Sequence, residues 1–204
     1  MKMKDKGILI VVSAPSGCGK GTILAEVLKD EKFFYSVSAT TRSPRPGETD
    51  GVNYHFLKKE QFEELIASGG MLEYAQYCDN YYGTPKEKVM EKLSEGKHVI
   101  LEIEVQGAMQ IRKKCPDAVF IFIAPPSVGE LRNRLSGRGT ETAEVIEKRV
   151  SEAAHEISFA GKYDYVIVND RLEEAIEDFR TVVRAEELKS VNQKNIIDEV
   201  LKNA

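Results

Sequence analysis

The run Ile8-Leu9-Ile10-Val11-Val12 leads directly into Ser13-Ala14-Pro15-Ser16-Gly17-Cys18-Gly19-Lys20-Gly21-Thr22, and the apolar spacing of Ile23 to Leu28 then fits a helix. A strand, a glycine-rich turn bearing a lysine and a helix opening directly after it form a cradle for nucleotide phosphates, because backbone N–H groups and the positive helix end converge on an anion. Glycine lets the backbone approach that anion, and Lys20 adds a mobile positive charge. The usual spacing is departed from twice: Ala14 stands at the first glycine position, and Gly21 replaces the hydroxyl residue, with Thr22 one place later. On this reading the loop from Ser16 through Gly17, Cys18 and Gly19 to Gly21 wraps a β-phosphate, while Lys20 bridges β- and γ-phosphates. Thr22, or water in its place, completes the shell of a Mg²⁺ ion, which keeps several waters in such sites.

Other apolar runs fix the fold class. Val99–Ile103, Val119–Ile123 and Tyr165–Val168 read, with Ile8–Val12, as buried parallel strands, and a fifth strand is expected near Phe34–Ser38. Helices are expected at 22–29, 107–113 and 172–188, the last with Asp170 as its N-cap. This alternation predicts an α/β fold with a doubly wound, parallel five-stranded sheet. Two stretches interrupt it. Residues 38–96 are polar and turn-rich, with Asn53–Phe56 and Met71–Tyr77 suited to a small extra sheet and helices expected at 60–67 and 86–93. Residues 127–155 carry Arg132, Arg134, Arg138 and Arg149 on a helical pattern broken at Gly137 and Gly139, as a closing lid requires. The tail from Ser190 has apolar residues at a spacing that suits a short docked helix or a dimer contact.

The chain has 204 residues, enough for one such domain, and a formal net charge of −4, which gives no support for broad nucleic-acid binding. Cys18, Cys78 and Cys115 lack metal-ligand spacing, and their odd number in a chain with no apolar stretch long enough for a signal sequence or membrane span suggests a cytoplasmic setting.

Ser38-Ala39-Thr40-Thr41-Arg42-Ser43-Pro44-Arg45-Pro46-Gly47-Glu48 places two arginines three apart in a stiff turn, which suits a phosphate monoester. Glu102 and Glu104 alternate with apolar residues at a strand end, and period two puts both carboxylates on one sheet face, as in a cleft. Together with the phosphate loop, the blocks Thr40–Arg45, Asn80-Tyr81-Tyr82-Gly83-Thr84, Glu102–Gly107, Gly137–Glu141 and Val168-Asn169-Asp170 closely resemble guanylate kinases, over about residues 7 to 188.

That resemblance implies a P-loop enzyme that moves the γ-phosphoryl of ATP to GMP with Mg²⁺, acting as a monomer or homodimer with no nucleic-acid or membrane partner. It implies core segments at 1–37, 97–126 and 156–204, an inserted mixed α/β GMP-binding region at 38–96 and a helical lid at 127–155. By resemblance, Ser38, Arg42, Arg45, Tyr54 and Tyr82 hold the GMP phosphate, and Glu73 and Thr84 read guanine. Glu102 lies on the Mg²⁺ and GMP side. Glu104 stands where these enzymes typically carry an Asp that helps bind the nucleotide; the glutamate keeps the charge and adds a methylene. Arg134, Arg138 and Arg149 match lid arginines, and Asn169 meets the adenine edge. The reactive set is then Lys20, Arg42, Arg138 and Arg149, with dGMP a second acceptor. Two alternatives stay open from the sequence: a kinase for AMP or UMP, and a non-catalytic protein-binding domain of the same fold.

Overall fold

The computed structural model describes residues 6–137 and 142–202. Five parallel strands form the main sheet: β1 (Leu9–Ser13), β2 (Phe33–Tyr35), β7 (His98–Glu102), β8 (Val119–Ala124) and β9 (Tyr165–Val168). Their spatial order is β2-β7-β1-β8-β9, so the strand that feeds the phosphate loop is central. Side chains alternate across it. Ile10, Val12, Ile121 and Ile123 pack with Phe179 and Val183 on one face, while Leu9, Val11, Phe120 and Phe122 pack with Val89, Ala108 and Ile111 on the other. Period two along strands covered on both faces produces the continuous apolar runs seen in the sequence.

The helices on these faces are α1 (Lys20–Val27) and α7 (Leu172–Glu187) on one side, and α3 (Lys86–Ser94) and α4 (Val105–Lys114) on the other. The inserted region has α2 (Lys59–Ala67) and a second sheet of order β4-β3-β6-β5, from β3 (Ala39–Thr40), β4 (His55–Phe56), β5 (Met71–Tyr77) and β6 (Asn80–Pro85). Its own small core is Ala39, Phe62 and Met71, with Tyr81 stacked on Phe62. The lid pattern forms α5 (Val128–Ser136) and α6 (Ala143–Ile157), capped by Ser127 and Thr142 and bridged by Arg132 and Glu147.

Four expectations need correction. The run Phe34–Ser38 is not one strand: β2 ends at Tyr35, and the chain crosses to the second sheet to begin β3 at Ala39. Tyr165–Val168 is a sheet edge, with Val166 and Val168 about half exposed (51% and 49%), because only one neighbour and one face cover it. The N-cap of α7 is Arg171 without a side-chain cap, not Asp170; the acidic Glu173 and Glu174 in the first turn complement the helix dipole instead. The tail does form a helix, α8 (Lys194–Lys202), but Ile196, Ile197, Val200 and Leu201 are exposed, so it is not docked.

Candidate active site

At the C-terminal end of β1, Ser13 is buried and its hydroxyl donates to the Ile103 carbonyl at 2.7 Å, tying the start of the loop to the end of β7. Gly17 and Gly19 take positive φ values of 91° and 79°, so both are in the region that glycine enters freely. A Cβ at Gly19 would come within 2.4 Å of Asn169 Nδ2, and one at Gly17 within 2.9 Å of Leu135, so neighbours press directly on the loop backbone. Gly21 has open space around its Cα, and both it and Thr22 beside it in the first turn of α1 are exposed. Cys18 contributes only backbone to this cradle: its buried thiol is pushed up to about 12 by desolvation.

Lys20 Nζ lies 3.4 Å from Glu102 Oε1, and the Tyr35 hydroxyl donates to Glu102 Oε2 at 3.1 Å. The lysine, the carboxylate and the phenol thus form one chain from the loop to the edge strand. The phenol reaches Glu102 because β2 lies beside β7 in register, Tyr35 opposite Ile100, a neighbourhood that the local sequence does not signal. Glu102 ends β7. Glu104 is not in the strand with it but is the exposed N-cap of α4, because the chain turns into the helix there. Glu156 of α6 approaches from the lid side. Burial first, and then the nearby Glu104 carboxylate, pushes its carboxyl up to about 7.

The acceptor side is built by the second sheet. Arg42 follows β3 and lies over the Tyr54 ring at 5.5 Å, while Tyr54 and Tyr82 meet edge-on at 6.1 Å. Glu48 grips Arg42 with both carboxylate oxygens (2.9 and 3.0 Å). Arg42, with help from the Arg45 N–H, holds the Glu48 carboxyl down at about 2. Ser38 immediately precedes β3, and Arg45 is exposed in the following turn. Glu48 closes the arginine turn in the sequence, and its spacing to Arg42 carries no sign of the pairing.

Glu73 and Thr84 face each other across the β5–β6 hairpin. Thr84 Oγ1 donates to Glu73 Oε1 at 2.7 Å, and both are buried (1% and 5% exposed). Desolvation raises the Glu73 pKa, against the hydrogen bond from Thr84 and the charge of Lys114. A buried carboxylate beside a buried hydroxyl, with no lysine or arginine bonded to it among the described residues, is an unusual use of core space. It makes sense as a reader of donors on a flat ligand edge.

These features converge on one family. The guanylate kinase family model matches residues 6–186. The chain belongs to the guanylate kinase family. It is 55% identical over 189 residues to the guanylate kinase of Latilactobacillus sakei, covering 92% of this chain and 93% of that protein. It is 56% identical over 186 residues to that of Streptococcus pneumoniae strain R6, covering 90% and 89%. Among solved structures, the guanylate kinase from Anaplasma phagocytophilum superposes with a TM-score of 0.75 at 36% identity, over 93% of this chain and 90% of that one.

The remaining residues matched to guanylate kinases fall around the phosphate loop. Arg149 of α6 donates to Ser16 Oγ, and Arg134 of α5 donates to the Asn169 carbonyl at 2.9 Å and to Glu130 at 2.9 Å. Asn169 is buried, and its Nδ2 donates to the Cys18 carbonyl at 2.7 Å. That bond uses one of its two Nδ2–H donors to brace the loop and does not contradict a role toward adenine. Arg138 lies outside the described residues. No helix of the described residues is long and apolar enough to cross a membrane.

Proposed function

We propose that this enzyme, a guanylate kinase, transfers the γ-phosphoryl of ATP to GMP, giving ADP and GDP, with the roles assigned below. The carrying observation is the buried Glu73–Thr84 pair in a chain that also folds a glycine-rich phosphate loop. Guanine presents N1–H and an exocyclic NH₂ on one edge, so one carboxylate accepts both, and its O6 accepts from a hydroxyl. Adenine offers no such pair of donors, and the mismatch would leave the buried carboxylate without partners, which costs more than a missing contact.

Lys20 and the backbone from Ser16 to Gly21 hold the ATP phosphates; Arg42 and Arg45, with Ser38, Tyr54 and Tyr82, hold the GMP phosphate. That phosphate is an anionic nucleophile at neutral pH, its second pKa being near 6, so no general base is required. The chain's task is to align two mutually repelling anions and neutralise charge as the phosphoryl group moves. Arg149 and Arg138 supply cations from the lid side, and Arg134 fixes the strand end beneath the loop. Asn169 sets the loop's shape through the Cys18 carbonyl. We assign 127–155 to a lid and 38–96 to the GMP-binding region, closing on each other to exclude water.

The donor chemistry fits Mg²⁺. The exposed Thr22 hydroxyl and the part-exposed Glu102 carboxylate are hard oxygen ligands beside the loop, and Thr22 and Glu102 would hold the ion together with water. The ion supplies charge neutralisation at the phosphate oxygens. Glu102 also sets the position of Lys20, and Glu104 contributes negative potential at the N-terminus of α4.

An ADP-release assay with ATP·Mg²⁺ and GMP, dGMP, AMP, UMP or CMP tests this reading. GMP is expected to turn over best, dGMP more slowly and the others at background. Turnover of AMP comparable to GMP would remove the guanine assignment.

A further inference from the structure

Glu48 is gripped from three sides in a way that the acceptor-site roles above leave unexplained. Its Oε1 accepts from Arg42 Nη2 at 3.0 Å, and its Oε2 accepts from Arg42 Nη1 at 2.9 Å and from the Arg45 N–H at 2.7 Å. The backbone closes on itself in the same place: the Glu48 N–H donates to the Arg45 carbonyl at 3.0 Å. The intervening Pro46 and Gly47, the latter at φ +87°, are the residues that a type II turn demands at its two central positions. Glu48 is therefore anchored by a stiff turn independently of the guanidinium it holds.

A guanidinium carries five N–H donors in a fixed plane. Nη1 of Arg42 uses both of its donors, one on Glu48 and one on the Ser43 carbonyl at 2.8 Å, and Nη2 uses one on Glu48. What Glu48 and Ser43 leave are Nε–H and the second Nη2–H, with the Tyr82 hydroxyl, itself placed at the acceptor phosphate, also beside the guanidinium. These are the two parallel donors of the guanidinium's side edge, the fork that matches two oxygens of a phosphate.

We propose that Glu48 is a positioning residue for the transfer reaction: it clamps Arg42 end-on, so that the side edge of the guanidinium is presented to the phosphomonoester of the acceptor nucleotide. The inference rests on Arg42 being a ligand of that phosphate. A carboxylate beside a phosphate site also weakens the local positive field, so the clamp is useful only if the gain in orientation exceeds that electrostatic cost. The rival account makes Glu48 a stand-in anion that the acceptor phosphate displaces. It predicts the opposite sign, because removing a competitor tightens binding. The turn and the Arg45 N–H hold the carboxylate in place whether or not Arg42 is engaged, which favours the clamp.

The test is steady-state kinetics and equilibrium binding on Glu48→Gln, Arg42→Lys and the double variant, with GMP, guanosine and ATP as ligands. Glu48→Gln is expected to raise the KM for GMP about tenfold, the scale of losing one charge-assisted hydrogen bond, with the KM for ATP and the binding of guanosine changed less than about twofold. The double variant is expected to lose no more than Arg42→Lys alone, since the clamp acts only through that guanidinium. An unchanged or lowered KM for GMP in Glu48→Gln overturns the clamp. Equal losses for GMP and guanosine, or additive losses in the double variant, also overturn it, showing that the turn had merely loosened. If Arg42→Lys itself leaves the KM for GMP unchanged, the assignment of Arg42 to the acceptor phosphate falls, and the clamp with it.

Discussion

The hydroxyl of Thr84 gives its one proton to Glu73 Oε1, at 2.7 Å, inside a pocket that excludes both residues from solvent. That proton cannot at the same time be donated to guanine O6. The two readers therefore satisfy each other until a base arrives, and guanine binding is an exchange. Its N1–H and NH₂ supply the carboxylate with donors, and Thr84 is released to O6. No buried group is orphaned at either end of the exchange. Adenine would have to break the same bond without returning donors to Glu73.

The exchange predicts the behaviour of Thr84→Val. The substitution removes the donor that, with Lys114, opposes the burial-driven rise of the Glu73 pKa. Glu73 then protonates at higher pH, and a protonated carboxyl is a poorer acceptor for guanine's two donors. The expected result is a fall in kcat/KM for GMP of about 10- to 100-fold, from one lost substrate hydrogen bond and a weakened acceptor. The acid limb of its pH profile should move to higher pH, with the KM for ATP unchanged. A loss that is the same at every pH would show that Thr84 acts on guanine alone and not through Glu73.

Gly107 is where the core helix α4 touches the guanine reader. A Cβ there would stand 2.6 Å from Glu73 Oε2, and α4 also grips β5 through Lys114 to the Leu72 carbonyl (2.7 Å) and Gln110 to the Tyr74 carbonyl (2.8 Å). Gly107→Ala is expected to displace the carboxylate and raise the KM for GMP by at least tenfold, with a loss of about 1–3 kcal/mol of stability from overpacking. Kinetics with each substrate and thermal unfolding check it. An equal rise in the KM for ATP would place the damage outside the guanine pocket.

Much of this architecture was legible from pattern. Buried strands read as apolar runs, and the glycine turn followed by Lys20 declared the phosphate loop despite Ala14 and Gly21. What was not legible depends on which strands become neighbours. Nothing in Phe33-Phe34-Tyr35 announces that β2 will lie beside β7 and bring the Tyr35 hydroxyl to Glu102. The β5–β6 hairpin turns through Cys78 and Asp79, both at positive φ (45° and 63°), where the favoured residues are Asn and Gly, so the turn gave no composition signal. The burial of Glu73 is likewise tertiary: its strand alone is consistent with a carboxylate facing solvent, and it is α4 that closes over it.

Tyr35→Phe isolates the newly found contact. The phenol donates to Glu102 Oε2 while Lys20 lies 3.4 Å from Oε1, so the hydroxyl helps orient the carboxylate that holds the loop lysine. Removing it is expected to lower kcat about three- to tenfold, the scale of one hydrogen bond, with little change in either KM. Unchanged kcat would make the phenol a packing residue after all. Circular dichroism melts should stay within a few degrees of the parent, because Phe fills the same volume.

Glu156 gives the pH prediction. Burial, and then the negative charge of Glu104, holds its carboxyl up at about 7 in the folded chain, against the pull of Lys20. In the unfolded chain a glutamate titrates near 4.3. The folded state therefore holds this proton more tightly. The stabilising contribution is fully present below about pH 4 and is lost as pH rises through 7. Glu156→Gln keeps the shape and removes the ionisation. Calorimetry of both proteins from pH 5 to pH 8 should give similar Tm values at pH 5, where Glu156 is neutral in the fold. At pH 8 the variant should be higher, by roughly 2–4 °C for each kcal/mol of ionisation penalty relieved. A Tm difference that is constant with pH, or a variant less stable at pH 8, would mean that Glu156 ionises in the fold at no cost, with its charge offset by Lys20.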